Sequence, residues 1–330
     1  MSANSALSVD REAVNRGTGS VNSAPVVCND ARGIAEKITA CLSSLLKNST
    51  SIPDDGAYVG DDQGRTLLHE AAREGHTDVV KWLIGHANID VNAKDCLKRT
   101  PLHEAAGKGR TDVVKWLIGH ANTDVNAKDL LSGHTPLHVA AERGHTDTVR
   151  LFVGHANTDV NAKDCSGHTP LHRASGGGHT GAVTSLIDHA NTDVNAKDLL
   201  GHTPLHEAAR EGRTDTVRLF VGRANIDINA KDRLGRTPLH YAAGAGRIGA
   251  VRLLVGHANT DINAKDHLGH TPLHEAAHEG RTDAVKWFVD HANVDVNAED
   301  RQGRTPLHVA TWRGRIGAMK AIVGCMRRHA

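Results

Sequence analysis

The chain has 330 residues, of which 39 are Lys or Arg and 38 are Asp or Glu, so it is nearly neutral. This balance argues against a general nucleic-acid binder of the strongly basic kind. The five cysteines are irregularly spaced and form neither a disulfide framework nor a C-x-x-C metal site, which is typical of a reducing compartment. The polar N-terminus lacks the apolar core of a signal peptide, and no apolar run approaches the roughly 18 residues that span a bilayer. We therefore expect a cytoplasmic protein that binds neither nucleic acid nor membrane.

The N-terminal region divides into two segments. Residues 1–28 have no hydrophobic periodicity, and we expect them to be disordered. Residues 29–60 are predicted to form an amphipathic helix and a linker, because apolar residues recur on one helical face at Ile34, Ile38, Cys41, Leu42, Leu45 and Leu46. Such a helix would cover the open end of the array that follows, and a partner- or membrane-binding helix is the alternative.

From residue 61 to residue 330 one motif recurs eight times. Seven copies read T-P-L-H, and the first reads T-L-L-H. Six of the seven gaps between the threonines are 34 residues and one is 35, the threonines being Thr66, Thr100, Thr135, Thr169, Thr203, Thr237, Thr271 and Thr305. A regular period of this length predicts a stacked array whose core lies between neighbouring copies. The copies are numbered below as repeats 1 to 8.

Repeat 2 shows how one unit is built. Thr100 can cap a helix whose first residue is Pro101, where a missing N–H costs nothing. Gly109 ends this helix, and a glycine stands nine residues after the threonine in all eight copies, as a C-cap requires. A second helix follows with an apolar stripe, and a polar segment then leads to a turn ahead of Thr135. Each unit is therefore helix, turn, helix and a protruding loop.

The succession T-P-L-H-x-A-A, glycine, an apolar second helix and D-V-N-A-K-D resembles the ankyrin repeat over residues 61–330. The resemblance implies an all-α repeat fold, a solenoid of helix-turn-helix units with protruding β-hairpin loops, in which the eighth repeat is a C-terminal cap. It also implies that the loop tips and first helices line a concave groove that binds proteins. The period of 34 exceeds the family's usual length of about 33.

One motif suggests chemistry instead. Residues 274–278 read H-E-A-A-H, which matches the zinc-hydrolase pattern H-E-x-x-H on a helix. However, His274 is the ordinary T-P-L-H histidine of repeat 7, so a single His278 creates the match. A zinc hydrolase using His274, Glu275 and His278 therefore remains a remote alternative, and we expect no catalytic residue, metal or cofactor.

A partner is expected at positions that vary between repeats. Leucines recur at the loop tips, where exposed apolar side chains indicate an interface, although duplication of one accidental leucine is an equally good explanation. A basic row directly precedes the threonines, and we expect its histidines to be exposed and to titrate near pH ~6.5. A lysine row runs nearby, so an acidic peptide is a plausible guest, whereas a solvated charge ladder paired with glutamates is the alternative. The candidate residues are Leu97, Leu131, Leu200, Leu234, Leu268, Arg99, His134, His168, His202, Arg236, His270, and, on first helices, Tyr241 and Trp312.

These observations favour a monomeric, non-enzymatic adaptor or scaffold that binds a protein or peptide. A microbial effector delivered into a host cell, acting by binding a host protein, is the second hypothesis. The sequence carries no recognisable secretion signal that decides between them.

Overall fold

The computed structural model describes residues 61–329, except for residues 62, 87, 88 and 292. The disordered segment predicted over residues 1–28 and the capping helix predicted over residues 29–60 lie outside this part of the chain. Within it, sixteen helices form eight consecutive pairs, so the predicted helix-turn-helix array is confirmed. No described helix has both the length and the apolar content needed to cross a membrane.

The first helix of each pair belongs to an inner layer and the second to an outer layer. The inner helices are α1 (Leu67–Glu74), α3 (Pro101–Gly107), α5 (Pro136–Arg143), α7 (Pro170–Gly177), α9 (Pro204–Glu211), α11 (Pro238–Ala245), α13 (Pro272–Glu279) and α15 (Pro306–Trp312). The outer helices are α2 (Thr77–His86), α4 (Thr111–Ile118), α6 (Thr146–Val153), α8 (Thr180–Ile187), α10 (Thr214–Val221), α12 (Ile248–Val255), α14 (Thr282–Val289) and α16 (Ile316–His329).

Local sequence accounts for the ends of the inner helices. In repeat 5, Thr203 is extended, with φ −96° and ψ 165°, and Pro204 opens α9. Gly212 ends the helix in the left-handed region at φ 71°. The equivalent glycine has a positive φ in every repeat, between 64° and 85°. Its predicted role as the C-cap is confirmed in six repeats, whereas in repeats 2 and 8 the C-cap is the preceding residue, Lys108 or Arg313.

The core runs continuously between the two layers. In repeat 5 it contains Leu205, Ala208 and Ala209 from the inner helix and Val217 and Phe220 from the outer helix, all at most 1% exposed. The alanines let consecutive inner helices approach each other more closely than consecutive outer helices do. The outer layer contributes larger core side chains, such as Phe152, Phe220 and Phe288.

The polar segment after each outer helix stacks through asparagine side chains. Asn195 donates from Nδ2 to the carbonyl oxygen of Asn225 at 2.8 Å, and its Oδ1 accepts from the backbone N–H of Asp227 at 2.9 Å. The same pair of bonds is made by Asn92, Asn126, Asn161, Asn229 and Asn263. Since every segment has a matching asparagine, the 34-residue period keeps the stack in register.

The protruding loops are tight turns, and no β-strand occurs among the described residues. In repeat 5 the N–H of Asp198 donates to the carbonyl of His202 at 2.9 Å, and that of Gly201 donates to the carbonyl of Asp198 at 3.1 Å. One further bond, from the N–H of Leu199 to the carbonyl of Ser166 at 3.1 Å, connects this tip to the preceding one. The loops are thus hairpin-like without a ladder of paired strands.

Lys98 is the one non-glycine residue with a positive φ in the described part of the chain, at 58°. Glycine occupies the equivalent tip position in the other seven repeats. We expect Lys98→Gly to raise the free energy of unfolding by about 1 kcal/mol, because it removes the strain of a side chain in the left-handed region. Urea denaturation followed by circular dichroism measures the change.

Two other tip glycines supply controls for this prediction. A Cβ at Gly303 would meet no atom within 4 Å, whereas a Cβ at Gly167 would lie 2.7 Å from the backbone nitrogen of Leu199. Gly303→Ala should therefore cost about 1 kcal/mol from φ alone, and Gly167→Ala should cost more. A Lys98→Gly variant no more stable than wild type would contradict the proposed strain.

Candidate functional site: loop tips and the row beside them

Each loop begins with an aspartate whose side chain shapes the turn. In repeat 5, Oδ1 of Asp198 accepts the backbone N–H groups of Leu200 at 2.8 Å and of His202 at 2.7 Å. Its side chain is only 2% exposed, and Oδ2 is left facing the basic row. This role was missed from the sequence, although the signal was present, since the same position holds Asp61, Asp95, Asp129, Asp164, Asp198, Asp232, Asp266 and Asp300.

The arginines of the basic row are paired with these aspartates. Arg99 contacts Oδ2 of Asp95 through Nε at 2.9 Å and Oε1 of Glu104 through a terminal nitrogen at 3.0 Å. Arg236 contacts Oδ2 of Asp232 through Nε at 3.2 Å and also bonds the hydroxyl of Tyr241. Their charges are therefore largely neutralised by carboxylates of the same protein.

The prediction that the row histidines are exposed is wrong. His134 and His202 are buried, and His168 and His270 are intermediate. Each imidazole lies beside the aspartate of the next loop, because the short side chain fits between consecutive stacked turns. The distances from Nε2 to Oδ2 are 3.4 Å for His134 to Asp164, 3.2 Å for His168 to Asp198, 3.6 Å for His202 to Asp232 and 3.4 Å for His270 to Asp300.

Two of these histidines have a raised pKa. At His202 burial lowers the pKa, but Asp232, Asp198 and Glu207 together outweigh it and leave the net shift upward. At His270 the hydrogen bond with Glu275 is the largest influence and raises the pKa against burial. These carboxylates stabilise the protonated ring, so the row forms an internal charge ladder instead of a free positive surface.

Tyr241 belongs to the same network. Its hydroxyl donates to Oδ2 of Asp232 at 2.7 Å and lies 2.8 Å from Nε2 of His202. Burial is the largest influence on the pKa of Tyr241 and raises it, and the hydrogen bond to Asp232 raises it further. At Asp232 burial would raise the carboxyl pKa, but the hydrogen bonds that the carboxylate accepts outweigh burial and lower it. Tyr241 is therefore held inside the array by the residues beside it.

The T-P-L-H histidines are tied into the turns, as expected from their fixed position. In His206, Nδ1 accepts the N–H of Thr203 at 3.0 Å, so the proton is on Nε2, which donates to the carbonyl of Arg236 at 3.1 Å. Burial is the main influence lowering the pKa of His138, His172 and His206 to about 4. These rings are neutral connectors between consecutive repeats.

The H-E-x-x-H match does not form a zinc-hydrolase arrangement in this structure. Both nitrogens of His274 are engaged, Nδ1 with the N–H of Thr271 at 3.1 Å and Nε2 with the carbonyl of Arg304 at 3.0 Å. Nδ1 of His278 lies 2.8 Å from Oε1 of Glu279. The first histidine therefore has no free nitrogen for a metal, and its role is the structural one shared by all repeats.

The tip leucines differ in exposure. Leu97 is half-buried, which corrects its expected place on the surface. Leu131 is 71% exposed, because the loop of repeat 3 is one residue longer than the others. The other exposed tip leucines are Leu130, Leu199, Leu200, Leu234 and Leu268. At the far end of the array Trp312 is 69% exposed, with the guanidinium of Arg313 4.7 Å from its ring centre.

A row of exposed lysines runs beside the leucines. The ammonium of Lys197 donates to the carbonyl of Lys231 at 2.8 Å, and this bond recurs along the loops. The row consists of Lys94, Lys128, Lys163, Lys197, Lys231 and Lys265, all exposed. Five of them, Lys128 to Lys265, donate to neutral carbonyls and not to carboxylates. The exposed positive feature is this lysine row and not the histidine row.

This regular stack of capped helix pairs with protruding turns defines a helical solenoid. The model of the family described as ankyrin repeats matches residues 34–129, 123–198, 191–266 and 258–327. The chain therefore belongs to the ankyrin-repeat family, and proteins of this family generally act as protein-protein interaction modules. No curated protein matches the chain significantly.

Proposed function

We propose that this protein is a monomeric, non-enzymatic adaptor or scaffold that holds a segment of a partner protein along its loop tips. The observation that carries the proposal is the row of exposed leucines, because solvent-exposed apolar side chains repeated along one edge are unfavourable in water unless a partner covers them. Trp312, the last residue of α15, is a further exposed apolar side chain in the last repeat.

The lysine row favours a partner that has acidic residues between apolar ones. Within repeat 5, Lys197 lies two residues before Leu199 and three before Leu200, so a bound segment would meet an ammonium group and apolar side chains together. The lysines contribute by attraction that weakens as salt increases. The histidine row contributes little, since its rings face aspartates of the array itself.

The same binding role serves a cellular adaptor and an effector that acts on a host protein. No feature of the described residues favours one over the other. The H-E-x-x-H match no longer supports a zinc hydrolase, because both nitrogens of His274 are engaged in structural hydrogen bonds.

A tip variant tests the proposal. Replacing Leu199, Leu200, Leu234 and Leu268 by Ser removes four exposed leucines without touching the core. Proteins captured from a lysate by the immobilised wild type and by the variant are compared by quantitative mass spectrometry, and the captured partner is then titrated calorimetrically. We expect at least a tenfold loss of affinity, since several buried interface side chains of about 1 kcal/mol each would be lost.

Two further variants separate the contributions. Ile316→Ser removes an apolar side chain that is 63% exposed away from the tips, and it should leave the affinity unchanged. Replacing Lys197, Lys231 and Lys265 by Gln should weaken binding mainly at low salt. A partner that binds the tip variant as tightly as the wild type would rule out the leucine row.

A further inference from the structure

Repeat 5 contains two carboxylates that are almost removed from solvent. The side chain of Asp198 is 2% exposed and that of Glu207 is 10% exposed. Oε2 of Glu207 is paired with Arg210 at 2.6 Å, whereas its Oε1 and Oδ2 of Asp198 both face the imidazole of His202. Carboxylates in such surroundings require a cation close by, because burial strongly penalises an unpaired negative charge.

Repeat 2 shows how the same position is neutralised when an arginine is present. There Arg99 lies 2.7 Å from Oδ2 of Asp95 and 3.0 Å from Oε1 of Glu104, so one side chain bridges both carboxylates. His202 replaces this arginine in repeat 5. Its side chain is shorter than that of arginine and carries no permanent charge, so it does not bridge the two carboxylates in the same way. The preceding loop adds His168, where repeat 1 has Arg65.

Three donor atoms lie close enough together to share a metal ion, and Nδ1 of His202 lies beside two of them. Oδ2 of Asp198 lies 3.2 Å from Nε2 of His168 and 3.3 Å from Nδ1 of His202. The same Nδ1 of His202 lies 3.6 Å from Oε1 of Glu207. Donors of His168, Asp198 and Glu207 all lie within 4.8 Å of one another. A tetrahedral zinc ion with bonds of about 2.1 Å requires ligand atoms about 3.4 Å apart.

We propose that His168, Asp198, His202 and Glu207 form a binding site for Zn²⁺ that joins repeats 4 and 5. Two imidazoles and two carboxylates are a donor set that zinc accepts. The ion supplies the charge that Arg99 supplies in repeat 2. It also connects consecutive loops, because His168 comes from repeat 4 and the other three ligands come from repeat 5.

The surroundings of His202 fit this role. Nε2 of His202 lies 2.8 Å from the hydroxyl of Tyr241 and 3.6 Å from Oδ2 of Asp232, so the proton opposite the metal-binding nitrogen has acceptors. Nδ1 of His168 lies 3.8 Å from Oδ2 of Asp164 and makes no hydrogen bond. The acceptors behind His202 orient its ring and increase its basicity, whereas Oδ2 of Asp164 is bound by Arg173 and leaves Nδ1 of His168 without a hydrogen bond.

A cleft on the inner helices gives the ion a path from solvent. It is lined by His168 and Glu207, by Arg173 and Arg210, which are paired with carboxylates, and by Gly176 and Gly177, whose missing side chains leave it open. Repeat 7 has a similar group, Asp266, His270 and Glu275, but the preceding loop offers Arg236 in place of a histidine. This second group has three ligands and no second imidazole, so we expect it to bind zinc more weakly.

Zinc titration of the full chain tests the site. Isothermal calorimetry should show one tight equivalent, zinc should raise the melting temperature, and Co²⁺ as a probe should give the visible absorption of a tetrahedral complex. His202→Arg reproduces the arrangement of repeat 2 and should fold, yet it should bind zinc at least about tenfold more weakly, because a ligand is lost and a cation is added. His168→Gln should weaken binding in the same direction.

His267→Gln, which removes an exposed histidine at the tip of repeat 7, is the matched control and should leave the tight equivalent intact. The proposal is overturned if the wild type shows no tight equivalent. It is equally overturned if His202→Arg and His168→Gln, both folded by circular dichroism, bind zinc with the affinity of the wild type. These readouts do not depend on a protein partner, so they are independent of the proposed function.

Discussion

Acidification from about pH 6.5 to about pH 4 is expected to unfold this protein, because its T-P-L-H histidines are buried as neutral rings. Burial lowers the pKa of seven of them, namely His69, His103, His138, His172, His206, His240 and His274. A protonated ring would no longer accept the threonine N–H at Nδ1. In this pH range the unfolded chain therefore binds more protons than the folded chain does.

The direction and size of the effect follow from this difference. A lowered histidine pKa gives stability that is complete above the unfolded value of about 6.5 and is lost as pH falls toward the folded value. For His138, His172 and His206 that folded value is about 4. Each contributes a slope of up to about 1.4 kcal/mol per pH unit, and the three together about 4 kcal/mol per pH unit, which exceeds the stability of a typical domain within a few units.

Other groups do not reverse this trend. The raised pKa values of His202 and His270 add stability as pH falls, but their contribution is complete below the unfolded pKa of about 6.5. The lowered carboxyl pKa of Asp300, about 2, affects stability below the histidine range. Between about pH 6.5 and about pH 4, the change in the free energy of unfolding is therefore dominated by the buried histidines.

Urea denaturation at several pH values measures this dependence. His206→Gln should reduce the slope by about 1.4 kcal/mol per pH unit, because one buried titrating group is removed. The prediction fails if the free energy of unfolding is constant across the window, or if the variant and the wild type lose stability at the same rate.

His206→Ala is expected to destabilise the protein by about 3–5 kcal/mol. The substitution leaves the N–H of Thr203 without a partner, removes one of the two hydrogen bonds to the carbonyl of Arg236, and opens a cavity between repeats 5 and 6. Each buried polar group without a partner costs about 1–3 kcal/mol.

His308 supplies the matched control within the same chain. It occupies the same position in repeat 8 and accepts the N–H of Thr305 at 3.0 Å, but its side chain is exposed. His308→Ala should therefore cost about 1 kcal/mol. Calorimetric or urea unfolding of both variants makes the comparison, and equal losses would show that the bond to the next repeat contributes nothing.

Much of the local structure follows from the sequence. The threonine, Pro at the first helical position and the glycine nine residues after the threonine fix the inner helices, because capping acts within a single turn of chain. The strict period fixed the number of repeats, and the positive φ of Lys98 was expected from the glycines at the same position in the other repeats. These features depend on neighbours in sequence.

The environment of the side chains at the loops was decided by the tertiary structure. The pKa of His202 is raised and that of His206 is lowered, although the two lie four residues apart. The first faces carboxylates of two loops, whereas the second faces neutral backbone groups. Stacking likewise half-buries Leu97 and exposes Leu131. The sequence alone determined the repeating unit, because its caps and turns are local, whereas charge and exposure at the tips depend on which atoms the next repeat places beside each residue.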